Sequence, residues 1–153
     1  MQSHVGRVLA IARKSAVGGP MIELESADVA TQGTLEGGPP TSVDRGVTLM
    51  SAAQWKAACA EINADVPWTT RRANVLVEVD RLGPLIGKRA RLGSATLHIT
   101  GETKPCDQME HAQAGLLRAL VPEQRGGVTA RVDAGGSFKV GDVLMIENSE
   151  SAS

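Results

Sequence analysis

From Asn74 onward the chain is a succession of short apolar runs cut by glycine: Gly83, Gly87, Gly93 and Gly101, then Gly126-Gly127, Gly135-Gly136 and Gly141. Runs this short with glycine between them suit strands that bend sharply or approach one another closely. Residues 74–80 alternate, with Val75, Val77 and Val79 on one face and Leu76 on the other. That period of two predicts a strand, and 86–92 and 95–99 follow as two more. Residues 128–132, 137–140 and 143–146 read as strands joined by Asp133-Ala134-Gly135-Gly136 and Gly141-Asp142. Turn pairs between short β runs predict a meander or barrel edge.

The first half carries fewer strands. Residues 5–12 form an opening strand, ended by Gly18-Gly19-Pro20, and Met21-Ile22-Glu23-Leu24 is a shorter apolar stretch. Residues 31–44, with three glycines and Pro39-Pro40, form the longest loop, a length that in a compact domain points to function or motion. After a strand at 47–50, Ser51 and Gln54 have capping-box spacing, and Trp55, Ala58, Cys59 and Ile62 share one helical face. Cys59 is read there as an inert core residue. A second capping pattern, Asp107 and Glu110, predicts a helix over 108–120 with Asp107 as its N-cap; Met109, Ala112, Leu116, Leu117 and Leu120 form its apolar stripe.

With 153 residues the chain is read as one mostly β domain over 1–147, with a few helices and a polar tail, 148–153. Sixteen basic against seventeen acidic residues produce no field that draws the protein to nucleic acid or anionic lipid. Phe138, Trp55 and Trp68 are the only aromatics, too few to stack single-stranded bases. No leader-like start or membrane-length apolar run is present, so the expectation is a cytoplasmic protein without nucleic-acid or membrane partners. In that setting Cys59 and Cys106 are read as free thiols.

Chemistry concentrates at Lys104-Pro105-Cys106. Cys106 ends a strand-to-helix loop, and the N–H groups of a helix start favour a nearby anion, as a nucleophilic or metal-binding thiolate requires. Lys104 acts in the same direction, whereas Asp107 and Glu110 oppose it; on these residues a reactive thiol and an idle loop cysteine both stay open. His111 lies one turn beyond Asp107 and reads as an exposed helix histidine; His98 is either solvated or in a polar barrel lumen. Arg45, Arg71 and Arg72, and Arg125 beside Gly126-Gly127, are the candidates for a phosphate site, because guanidinium groups grip phosphate and a Gly-Gly backbone lets an anion close. Solvated surface charge is the simpler reading of such arginines.

Taken in order, Asp44-Arg45-Gly46-Val47-Thr48-Leu49-Met50, Arg72-Ala73-Asn74-Val75-Leu76-Val77, Leu85-Ile86-Gly87-Lys88, Leu97-His98-Ile99-Thr100-Gly101 with Pro105-Cys106, Arg125-Gly126-Gly127-Val128 and Val140-Gly141-Asp142 resemble the motifs of MOSC domains, the C-terminal domain of molybdenum-cofactor sulfurases. The resemblance covers roughly residues 30 to 147. It implies a closed or partly open antiparallel β-barrel similar to the barrel domain of pyruvate kinase. It implies too that Cys106 is the functional cysteine, carrying a persulfide or ligating molybdenum in a molybdopterin cofactor. Arg45, Arg71, Arg72, Asn74, Arg125, Gly126 and Gly127 are then candidates for the pterin and its phosphate. Where many relatives have Gly-Asp followed by histidine, this chain has Glu36-Gly37-Gly38-Pro39-Pro40, so no role passes to that position.

Three functions remain on these grounds: a molybdenum-cofactor binding or sulfur-carrier domain, a small molybdenum-dependent oxidoreductase of N-hydroxylated compounds served by an electron-transfer partner, and a noncatalytic β-barrel interaction module. For the first, sulfur is expected from a partner cysteine desulfurase, the only place where pyridoxal phosphate enters.

Overall fold

A computed structural model describes residues 2–147; the polar tail 148–153 lies outside the described residues. Ten strands and three α-helices are present among them: β1 (Gln2–Lys14), β2 (Met21–Leu24), β3 (Ser26–Val29), β4 (Val47–Ser51), α1 (Ala52–Glu61), β5 (Val75–Val77), β6 (Arg89–Leu92), β7 (Ala95–Glu102), α2 (Asp107–Ala112), α3 (Leu116–Leu120), β8 (Val128–Ala134), β9 (Gly136–Lys139) and β10 (Val143–Glu147). The order β10-β6-β7-β8-β4-β5-β1 closes on itself through β1–β10 pairing, a barrel of seven strands with β2 attached to β1 outside the ring. Every pairing is antiparallel except β4–β5, which is parallel. No helix among the described residues is long and apolar enough to cross a membrane.

Alternation along the strands sorts the apolar residues into two cores. Val75 and Val77 of β5 and Val47 and Leu49 of β4 point into the barrel with Leu97, Ile99, Val128, Ala130 and Val132. Leu76 and Met50, one residue out of phase, turn outward and pack with Trp55, Ala58, Cys59, Met109, Leu116 and Leu120 under the helices. Cys59 is buried there, as its helical face predicts. The barrel interior is apolar, so His98, opposite in phase to Leu97 and Ile99, lies on the outer face and not in a polar lumen.

Several predicted elements differ. The strand expected over 86–92 begins only at Arg89, because Gly83–Leu85 forms a 3-10 turn. The last three strands are not a meander: β9 leaves the barrel to pair with β3, and β10 pairs with β6 and β1. The strand β3 was not expected, although Ala27 and Val29 alternate with Ser26 and Asp28 and turn inward. The helix predicted over 108–120 is two short helices, split where Gly115 takes φ +88. Glu110 drives the break, since its carboxylate accepts from the N–H groups of Gly115 (2.9 Å) and Leu117 (3.3 Å) and so caps α3 rather than α2. The N-cap of α2 is Cys106, not Asp107, and its side chain makes no capping bond.

At α1 the cap expected from Ser51 is present, but only half of the capping box forms. The Ser51 hydroxyl accepts from Gln54 N at 3.1 Å, whereas the Gln54 amide reaches across to donate to the Glu123 carbonyl at 2.7 Å. Ser51 is fully buried and its hydroxyl also donates to the Val79 carbonyl, joining the helix start to the end of β5. Ser51→Ala removes both bonds at a fully buried position, and chemical denaturation should show a loss of about 2 kcal/mol.

Candidate functional site

Where the parallel strands β4 and β5 meet β1, one residue holds all three. The Asn74 side-chain carbonyl accepts from Thr48 N (2.9 Å) and Thr48 Oγ1 (3.0 Å), and its amide donates to the Ala12 carbonyl at 3.1 Å. The side chain expected to touch a ligand thus also ties the scaffold together, and it lines the groove. What it positions is a groove at this end of the barrel, made of two connected hollows of about 320 and 700 Å³ that share Lys14, Pro39, Thr41, Arg45, Thr48 and Arg72. The 31–44 loop forms one wall of the smaller hollow, held by a 2.9 Å bond from Arg13 to the Gly37 carbonyl.

Charge in this groove has one sign. Arg13, Lys14, Arg45 and Arg72 line the smaller hollow, Arg71 and Lys104 join in the larger, and no carboxylate among the described residues lines either. Burial, then the like charges of Arg72 and Arg45, pushes the Lys14 ammonium below its ordinary pKa. Arg72 sits in the left-handed region at φ 62, and its Nη2 is buried without a hydrogen-bond partner. A buried guanidinium nitrogen left unbonded is costly to the fold.

Cys106 is exposed and lines the larger hollow. Its loop is fixed from below by Arg71, which is buried and donates to the Thr103 carbonyl at 2.8 Å and the Gly126 carbonyl at 3.1 Å. Burial lowers the Arg71 pKa, the Cys106 sulfur opposes that shift and Arg45 adds to it, so thiol and guanidinium share one electrostatic environment. Gly126 is required by packing, since a Cβ there would overlap the Thr103 carbonyl and crowd Arg71 and Pro105. Beside this clamp the Thr103 hydroxyl, in a residue 9% exposed, has no partner.

Of the residues singled out in the sequence, Cys106, Arg45, Arg71, Arg72, Asn74 and Gly126 come together at the groove. Arg125 does not: it pairs with Glu61 at 2.7 Å and donates to the Ala119 carbonyl on the helical side. Gly127 backs onto the Leu49 carbonyl, and His111 is exposed on α2 outside the groove. Arg13, Lys14 and Thr103 were missed. The basic pair ending β1 just before Gly18-Gly19-Pro20 was a usable signal for the first two; Thr103 had none. Among the described residues no three His, Cys, Asp or Glu side chains gather to hold a metal ion.

Fold and site together define a small closed β-barrel with a cation-lined groove ending at a thiol. The MOSC domain model matches residues 27–145, and the chain belongs to that family, which is associated with the molybdenum cofactor. Its fold is similar to that of the YUAD protein from Bacillus subtilis, with a TM-score of 0.79 at 15% identity over 95% of this chain and 98% of that one. It is also similar to YiiM from Escherichia coli (TM-score 0.71, 15% identity, 93% and 70% of the two chains) and YiiM from Geobacillus stearothermophilus (TM-score 0.62, 11% identity, 97% and 76%). No curated protein matches the chain.

The crowding at Lys14 has a measurable consequence. Its depressed pKa means that the folded state binds that proton less tightly than the unfolded chain, so charged Lys14 opposes folding at neutral pH and the penalty fades as pH rises toward 10.5. Lys14→Gln should raise the thermal midpoint of the ligand-free protein at pH 7, a gain absent near pH 10.5, while weakening its binding of inorganic phosphate.

Proposed function

We propose that this protein binds a molybdopterin-type cofactor in the groove and uses Cys106 as the sulfur centre, as a persulfide carrier or as the protein ligand to molybdenum. The observation that carries the reading is the lining of six cationic side chains and no carboxylate, with a solvent-accessible thiol in the same groove.

The residues suit such a group. A phosphate would meet Arg45 and Arg72, with the Thr41 and Thr48 hydroxyls beside them. With no cluster of protein ligands among the described residues, a metal would have to arrive with the cofactor, leaving one position for a protein thiolate. When bound, the cofactor supplies molybdenum redox chemistry; the chain's part is to neutralise the phosphate and present one sulfur. In the carrier form, the Cys106 thiolate attacks the outer sulfur of a donor persulfide held by a cysteine desulfurase. The new S–S bond forms on Cys106 as the donor's S–S bond breaks, and the donor leaves as a thiolate.

Expression in a host that makes molybdenum cofactor, followed by pterin and metal analysis, tests this directly. Wild type should retain pterin, Arg72→Gln should retain at least about tenfold less, and Cys106→Ser should keep pterin but lose metal or the sulfur added by a desulfurase. Wild type isolated without pterin would overturn the cofactor reading, and equal metal and sulfur in Cys106→Ser would remove the thiol from it.

A further inference from the structure

We propose that Cys106 is a modification site for low-molecular-weight disulfides that carry carboxylates, with the mixed disulfide seated in the cationic groove. This rests on the reading of the groove as an anion site, not on which cofactor it holds.

The two cysteines are in opposite environments: Cys59 is buried under α1, whereas Cys106 is exposed among cations. Three side-chain polar atoms among the described residues are buried without a partner, and two of them, Arg72 Nη2 and Thr103 Oγ1, belong to residues lining this groove. Thr103 lies three positions before Cys106 on a loop whose carbonyl is fixed by Arg71. Each is a hydrogen-bond donor in the wall of the groove that the fold leaves without an acceptor. A peptide-like disulfide bearing carboxylates supplies the negative charge that Lys14, Arg45, Arg72 and Lys104 lack. A cationic disulfide would be repelled by the same side chains.

The reaction balances without another reagent. The Cys106 thiolate attacks one sulfur of the disulfide, the Sγ–S bond forms as the small molecule's S–S bond breaks, and the departing thiolate takes a proton from water. Cys106 is oxidised and one half of the disulfide is reduced; a free thiol reverses the step. In the adduct the added group fills the groove, so the modified protein neither holds its anionic ligand nor accepts sulfur.

The test uses the full chain, free of cofactor, with adduct formation followed by intact mass and peptide mapping. Glutathione disulfide, bis(2-hydroxyethyl) disulfide and cystamine serve as anionic, neutral and cationic probes, each rate normalised to its reaction with 2-mercaptoethanol. Cys106 should react in the order anionic, neutral, cationic, with at least about a tenfold span at low salt that narrows as salt is added. Arg45→Gln and Lys104→Gln, both at exposed positions, should each reduce the span about threefold, while Lys88→Gln, exposed and outside the groove, leaves it unchanged. Equal normalised rates, an adduct at Cys59, or an equal effect of Lys88→Gln would overturn the proposal. Pterin takes no part in these rates, so failure here leaves pterin retention standing, and failure of pterin retention leaves the anionic preference standing.

Discussion

The Asn74 side chain at the parallel joint of the barrel is the contact on which the groove depends. Parallel neighbours such as β4 and β5 need a long connection between them, here supplied by α1 and the turns after it. Asn74 closes the seam by bonding to both the main chain and hydroxyl of Thr48 and to the carbonyl of Ala12. Arg72 lies two residues before it and Lys14 two residues after Ala12, so fixing this seam fixes two of the cations that line both hollows. The helices and the barrel interior take the rest of the apolar sequence, leaving this end of the barrel free for polar work.

The groove is charged at a cost to the empty protein. Burial, and after it the like charges of Arg72 and Arg45, lowers the pKa of Lys14, and two donors in the wall are left without partners. A site built only for folding would have placed a carboxylate among these side chains or turned them outward, as happens at Arg125, which meets Glu61. Arg71 differs from its neighbours: it is buried and bonded, and its work is to hold the Cys106 loop against the loop at Gly126. The arginines that look alike in sequence therefore divide into a clamp, a groove wall and a helix-side ion pair.

The period of two in β5 was readable from sequence, with Val75 and Val77 facing one way and Leu76 the other; that Met50 of β4 turns outward with Leu76 appears only in the fold. The family motifs led to the barrel and to Cys106. The break at Gly115 was hidden because the apolar stripe from Met109 to Leu120 has helical spacing throughout; only the tertiary placement of the Glu110 carboxylate decides which helix it caps. The departure of β9 to pair with β3 was hidden for a related reason, since a short turn signals a reversal but not the strand that will be met. Lys14 and Thr103 join the groove through long-range pairing; the basic pair Arg13-Lys14 before a turn hints at the first, and nothing near Thr103 indicates the second.

The central claim is that this groove is an anion site organised around Arg72 and Thr103. Titration of the ligand-free protein with inorganic phosphate, followed by NMR of the arginine Nε–H groups and backbone amides, addresses it most directly. Saturable shifts are expected at Arg72, Arg45, Thr48 and Thr103, with Arg125 and the barrel strand β6 unmoved. Phosphate that leaves Arg72 and Thr103 unshifted, or that moves Arg125 instead, would contradict it.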